Sequence, residues 1–458
     1  MERAAPDRPE SATGHLPSAG RTRMLGYASG NFGKNVLAST MDVFLLFVLT
    51  ERWGVAPEVA GLVVMIGLVW DGLCDPLLGR LLDRSADRLA TYRRLLFVGA
   101  PFVGIFFAIF FVDPGWRGGA ILGWAITIVL LFRTAYSVCD VAHNALMMRI
   151  TKTPGAATTV SGLRYMFSCV GALAVAHFAQ AFVDPAKDGG HELFMVTGFA
   201  ALAYVGTLWL SAVSVPVTHT PQAAPTHRGS LAWIAGNRPL LMLLVLGFAQ
   251  ALTLPVFARS FAYIGKGVIH DAAWTGRALT MLALSQLVAL PAWMAVARRL
   301  RQHAVLGVAL VIVAIGLMVF ATDARAMIPG IALFGIGNAG LQMMIWVLLA
   351  RAIDHGEART GVRLEGMPVA LLLLTLKVGG GISGALLGRG LAIVGWDASA
   401  PFGTAAQQDL LTMAWLLPLV GALICIAGVM LHKFVGRGRA EDTTARHRPT
   451  PDRPDRGI

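Results

Sequence analysis

The sequence predicts an all-α polytopic membrane protein with 12 transmembrane helices in two pseudo-symmetric six-helix halves. Composition comes first. Of 458 residues, 56% are hydrophobic and only 14% charged, and the mean hydropathy is +0.65. Average soluble chains carry about 25% charged residues, and so few charges cannot cover a water-exposed surface. Second, apolar runs of the ~20 residues that a bilayer-crossing helix needs recur twelve times. Third, a polar stretch at 217–237 (VTHTPQAAPTHRGSLAWIAGN) divides those runs six and six, and its Pro, Thr and Ala content reads as a linker.

In chain order, the first six spans are expected at 25–50, 58–82, 94–112, 120–148, 159–183 and 193–216. The second six are expected at 238–258, 274–297, 304–322, 327–351, 368–394 and 410–435. The halves therefore run over 23–216 and 238–435. The flanking segments 1–22 and 436–458 are rich in Arg, Pro and Thr and are expected to be disordered tails. The first 22 residues do not match a cleavable signal peptide, so the first span is expected to be the insertion signal.

Orientation follows from the basic residues. Arg84, Arg88, Arg93, Arg94, Arg149, Lys152, Arg298, Arg299, Arg351 and Arg363 fall on one side, against a sparser set that includes Arg52, Arg117, Lys187 and Lys266 on the other. Basic loops stay cytoplasmic, which puts both termini in the cytoplasm of a multi-pass inner-membrane protein. The net charge of +12 is explained by this bias, so nucleic acid is not an expected partner. The bilayer and a small-molecule solute are the expected partners, with the chain as a monomer. Cys74, Cys139, Cys169 and Cys425 lie in apolar stretches without metal or disulfide spacing. No nucleophile, base and metal set converges anywhere as an enzyme requires, and no cofactor is expected.

An ionisable group inside a membrane helix costs several kcal/mol unless it faces a cavity or a partner. Span one carries Asn31, Lys34, Asn35 and Asp42 as a loose polar stripe. Span two carries Asp71 and Asp75. Span four carries Arg133, Ser137, Asp140 and Asn144 at spacings of one helical face. Span five holds Arg164, and span eleven holds Arg389 and, near mid-depth, Lys377 among glycines 379, 380, 381, 384 and 388. Both stripes are expected to line a wet central cavity, with Gln342 a further candidate.

Asp71 and Asp75 are four residues apart and stack on one face. Two carboxylates so close cannot both stay ionised in low dielectric alone. They must share a proton, hold a metal cation, or pair with a base from another helix. Lys377 is the natural counter-charge, because a desolvated lysine can lose its proton whereas arginine effectively cannot. Together these residues form a candidate coupling-ion site.

Trp70-Asp71-Gly72-Leu73-Cys74-Asp75-Pro76-Leu77-Leu78-Gly79 resembles the W-D-x-x-x-D-P-x-x-G signature of the glycoside–pentoside–hexuronide:cation symporters, the melibiose-carrier branch of the major facilitator superfamily. Gly30-Asn31-Phe32-Gly33-Lys34, Ser161-Gly162-Leu163-Arg164, Asp354-His355-Gly356-Glu357, Thr360 to Gly366 and Lys377-Val378-Gly379-Gly380 match in order. The resemblance implies a major-facilitator fold and a cation site at Asp71 and Asp75 with Lys377 coupled to it and Ser137 and Cys74 beside it. It also implies solute contacts near Asp140 and Arg164; Asn35, Asp42, Arg133, Asn144 and Gln342 complete the expected solute set. Asp83, Arg84, Asp354, Glu357 and Arg363 are expected to form a cytoplasmic gate.

Five positions depart from the pattern of the sugar carriers, and one of them, Leu68, stands where they have the arginine that precedes the Trp-Asp pair. Asn35 stands where those carriers usually place a substrate-binding aspartate, and Asn144 where a tryptophan flanks the sugar. Cys74 replaces the asparagine ligand of the sodium users, and Arg133 is an addition. The expected function is a cation-coupled symporter of a small polar solute by alternating access, the solute a sugar, glycoside or hexuronide-like compound. Protons are favoured over sodium or lithium. The alternative on the same scaffold is a carrier of lysophospholipids or other amphiphiles.

Overall fold

A computed structural model of the chain describes residues 20–82, 88–150, 154–184, 191–215, 230–362, 364, 366–397 and 403–446. The regular elements among them are all helices: α1 (Arg21–Glu51), α2 (Pro57–Leu82), α3 (Arg88–Phe110), α4 (Gly119–Ile150), α5 (Pro154–His177), α6 (Ala179–Val183), α7 (His191–Ser214) and α8 (Ser230–Ala235). They continue as α9 (Arg238–Thr253), α10 (Pro255–Arg259), α11 (Phe261–Gly267), α12 (Ala272–Arg299), α13 (Gln302–Phe320), α14 (Met327–Thr360), α15 (Gly366–Ile393) and α16 (Thr404–Arg446). Twelve of the resulting spans are long and apolar enough to cross a bilayer. Phe199, Leu202, Val245 and Val288 lie exposed on the outer surface, as lipid-facing side chains should.

Local chemistry explains where the helices break. The fifth span divides at Phe178, so that α6 covers the last residues expected in one helix. The seventh span runs to Gly267, beyond the expected 258, but in three pieces. Pro255 lacks the N–H that would continue α9 and opens α10 instead. Ser260 Oγ donates back to the Val256 carbonyl at 2.7 Å, a bond that bends membrane helices. Asn237 caps α9 by accepting from the Leu240 N–H, and Asp271 caps α12 through Ala273. Gly361, at φ 72°, ends α14 in the left-handed region.

The expected tails and linker are shorter than read from composition. Helix α1 starts at Arg21, and α16 continues to Arg446, through residues expected as tail from 436. In the expected linker, 217–229 lie outside the described residues, but 230–235 form α8. There Trp233 is buried and its Nε1 donates to the Val362 carbonyl at 3.1 Å. One tryptophan with a docking site outweighs a polar average.

The two halves repeat one contact pattern. In the first, α1 packs on α5 and α7, α3 on α4 and α7, and α2 on α4. In the second, α9 packs on α15 and α16, α13 on α14 and α16, and α12 on α14. Each contact has its counterpart six spans later. The halves meet through α2 against α15 and α5 against α12, again a symmetric pair, with α1 touching α10 and α11. The start of α1 and the end of α16 lie on one side, here the terminal side; the other is the distal side. Toward the distal side the halves are tied by Thr50 Oγ to Tyr263 Oη at 3.0 Å and by the pairs Glu51–Lys266 and Glu58–Arg389. Trp396 Nε1 also donates to Glu51 at 2.5 Å.

Candidate functional site

At mid-depth, α2 presents Asp71 and Asp75 between α4 and α15. Lys377 Nζ lies 2.5 Å from Asp75 Oδ2 and 3.1 Å from Asp71 Oδ1. From α4, Arg133 Nη1 reaches Asp71 Oδ2 at 3.5 Å, and the Ser137 hydroxyl donates to Asp71 Oδ1. Asp71 is 2% exposed. Cys74 is buried one turn away on the same helix. The close approach of α15 is made by glycines: a Cβ on Gly72 would lie 3.0 Å from a Leu374 methyl, and one on Gly61 would lie 2.8 Å from the Gly384 carbonyl oxygen.

A second polar cluster occupies α1, α4 and α5. Lys34 pairs with Asp140. Asn144 Nδ2 donates to Asp140 Oδ2 at 3.0 Å and its Oδ1 accepts from Arg164 Nη2 at 2.6 Å; Arg164 Nε donates to Asn31 Oδ1 at 2.9 Å. The spacing of span four thus yields a bonded chain in which an amide separates the guanidinium from the carboxylate. Behind it His143 is fully buried, stacked on Tyr27 at 4.7 Å, with Nε2 2.9 Å from Ser211 Oγ and Nδ1 3.4 Å from Lys34 Nζ. Asn35 accepts from Ser39 Oγ within its own helix at 3.1 Å.

Between the halves lies a cavity of about 350 Å³, walled by Asp42, Gln250, Arg259, Asn338, Gln342 and Lys377 together with apolar side chains. Arg259 is 2% exposed and spends its donors on three acceptors. Nη2 bonds Asp42 Oδ1 at 2.6 Å, Nε bonds the Asp42 carbonyl at 3.0 Å, and Nη1 bonds the Gly380 carbonyl at 2.8 Å. One side chain of α10 therefore binds α1 and α15 at once.

The expected site residues separate into these three groups. Asp71, Asp75, Ser137 and Lys377 come together. Asp140, Asn144 and Arg164 come together, and Asp42 and Gln342 share the cavity with Lys377. Of the expected solute set only Asp42 and Gln342 line the cavity; Asn35, Asp140, Asn144 and Arg164 stand outside its wall, as does Arg133, which is 5% exposed and faces Asp71. Asp354 and Glu357 stand in the last turns of α14, while Asp83, Arg84 and Arg363 lie outside the described residues. Two partners were not expected. Lys34 was read as part of a polar stripe and not as the counter-charge of Asp140. Arg259 fell one residue past the span drawn to 258; its signal is a lone arginine inside Val256-Phe257-Ala258-Arg259-Ser260-Phe261.

The profile of the family described as "MFS/sugar transport protein" matches residues 26–435, nearly the whole chain. The chain belongs to the MFS/sugar transport protein family. Its members are transporters, not enzymes, and this one is a multi-pass membrane protein. Among curated relatives, the isoprimeverose transporter of Lactiplantibacillus pentosus is 24% identical over 424 residues, covering 89% of this chain and 87% of its own. The glucuronide carrier protein homolog of Escherichia coli is 23% identical, covering 82% and 84%. The putative sulfoquinovose importer of Salmonella typhimurium is 26% identical, covering 87% and 86%. Among solved structures, a proton-dependent oligopeptide transporter superposes with a TM-score of 0.65 at 12% identity, covering 91% of this chain and 99% of that one. The nucleoside transporter NupG superposes at 0.62 and 12% identity, covering 89% and 99%. At such identities the structural likeness concerns the fold alone.

Proposed function

We propose that the protein is a proton-coupled symporter that moves a small polar solute, a sugar or glycoside, across the inner membrane by alternating access. Its termini face the cytoplasm and it works as a monomer of two six-helix halves, 23–216 and 238–435. One observation carries the reading: Lys377 belongs at once to the two-aspartate cluster and to the wall of the central cavity. A group shared in this way lets the charge of one site depend on the occupancy of the other, which is what coupling requires.

The cavity volume falls in the usual range of small-ligand sites, about 300–1,000 Å³. Its carboxylate and amides are acceptors and donors suited to hydroxyl groups. The relatives named for isoprimeverose, a glucuronide and sulfoquinovose support a sugar-like cargo. Protons are favoured because a hard cation wants about five or six oxygen ligands (by analogy with calcium), and Cys74 offers sulfur where an oxygen would serve. Asp83, Arg84, Asp354, Glu357 and Arg363 are assigned to the cytoplasmic gate. Uptake of labelled glycosides into reconstituted vesicles tests the reading. Accumulation should follow an imposed inward pH gradient without sodium; accumulation that needs a sodium gradient and ignores pH overturns the proton assignment.

A further inference from the structure

The two-aspartate cluster already holds as many positive as negative groups: Asp71 and Asp75 against Lys377 and Arg133. Arg133 is the unusual member. It reaches the cluster from α4, at the Asp71 oxygen that Lys377 does not take, and its Nε is buried without a hydrogen-bond partner. A guanidinium keeps its charge at any working pH. Carrying that charge out of water costs several kcal/mol unless a counter-charge meets it, and Asp71 is the counter-charge it meets.

The donors leave little for a metal ion. Asp71 Oδ1 takes the Ser137 hydroxyl and Lys377, and Oδ2 faces Arg133. Asp75 Oδ2 takes Lys377, which leaves Asp75 Oδ1, buried and without a partner, as the one carboxylate oxygen in the cluster with no donor. The Cys74 sulfur is a soft ligand that hard monovalent ions do not seek. A sodium or lithium ion would add a fifth charge to a balanced set of four and would have to displace existing donors. The residues present do not fit it.

We propose that Arg133 is a built-in cation that takes the metal ion's place beside Asp71, so that this one side chain makes the carrier refuse sodium and lithium. The inference rests on the proton-coupled reading above and names the residue that determines ion selectivity. It carries a gain of function. With the guanidinium charge removed, the set carries a net negative charge, and Asp71 Oδ2, Asp75 Oδ1 and the Ser137 oxygen become available to a small monovalent cation.

The test is thermal unfolding of the purified full-length protein, titrated with sodium or lithium chloride against choline chloride at constant ionic strength. The wild-type protein and Arg133→Lys should show no ion-specific shift. Arg133→Gln, which keeps a polar side chain but loses the charge, should rise in unfolding temperature and saturate with sodium or lithium. Arg133→Ala is a second uncharged variant, and folding that depends on sodium counts as the same response. Absence of a sodium or lithium response from both uncharged variants, folded or not, overturns the proposal. So does a saturable sodium shift in the wild type. Wild-type uptake that follows a pH gradient while the protein binds sodium sinks this inference alone; uptake that requires a sodium gradient sinks the proton reading.

Discussion

Lys377 Nζ on α15 bonds Asp75 Oδ2 on α2 at 2.5 Å, and those two helices belong to different halves of the molecule. The ammonium also touches Asp71 at 3.1 Å and stands in the cavity wall. Asp71→Asn and Asp75→Asn should leave the protein inserted and abolish uphill accumulation. Lys377→Arg keeps the charge but cannot release a proton, so uptake driven by a pH gradient should be lost. Normal uptake by that variant across pH would make Lys377 a fixed counter-ion and nothing more.

Asn144 joins Arg164 to Asp140 through two hydrogen bonds to charged groups. Such bonds are worth about 1.5–3 kcal/mol each. Asn144→Leu leaves both charged groups short of a partner and should therefore lower the thermal midpoint, at about 1.5–3 kcal/mol of stability per bond, and weaken solute affinity as Arg164 and Asp140 lose their arrangement. A binding isotherm unchanged by the substitution would place this chain of residues outside the solute site.

Arg259 holds Asp42 and the Gly380 carbonyl together on the distal side of the cavity. Arg259→Ala removes the bonds to both acceptors and should loosen that closure. In a background without native cysteines, a cysteine placed at Thr50 should then react faster with a membrane-impermeant reagent added from the distal side. Equal reaction rates with and without Arg259 would show that the other ties suffice.

The seam between α2 and α15 tolerates no added atoms at Gly61, where a Cβ would meet the Gly384 carbonyl oxygen at 2.8 Å. Gly61→Ala should lower stability by about 1–3 kcal/mol through overpacking. Gly206, with nothing within 4 Å of a new Cβ, is the control. Its change to alanine should leave stability unchanged or raise it by up to ~1 kcal/mol through helix propensity.

Outside the membrane, the Arg277 guanidinium at 2.5 Å and the Ala273 N–H hold the Asp271 carboxyl below the usual carboxylate range. Its proton affinity is lower folded than unfolded. The cap of α12 is therefore fully present above the unfolded carboxyl's pKa, about 3.9, and is lost as pH falls through the lower folded value. Asp271→Ala should cost about 1 kcal/mol at neutral pH and flatten the decline of the thermal midpoint in acid. A variant with the wild-type acid profile would remove Asp271 from that decline.

How far the sequence reveals this molecule depends on whether a feature lies within one helix or between two. The twelve spans follow from hydropathy because each is a property of its own stretch of chain. The faces of α2 and α4 follow from periodicity for the same reason. Which charge meets which does not. The stripe that carries Arg133 and Asp140 is one face of α4, yet Arg133 turns to α2 while Asp140 turns to Lys34 on α1. Only the rotation and neighbours of α4 decide that division. Arg259 lies past the expected span because its own charge ends the apolar run at 258, while the helix goes on in short pieces to Gly267. Trp233 shows the converse: a segment polar on average docks through a single residue.

The aspartates ride on α2 and the ammonium on α15, while glycines let the two helices lie close enough to slide. An axial slip of two residues is about 3 Å, and it would stretch a 2.5 Å bond that crosses between the helices to about 3.9 Å, beyond hydrogen-bonding reach. The ion pair thus works as a detent between two rails. While Asp75 is charged this catch holds the register; once its charge is gone the ion pairs left between the two helices, among the described residues, are Lys377–Asp71 and Glu58–Arg389. On the proton-coupled function proposed above, the proton then does more than supply driving force: it times the stroke.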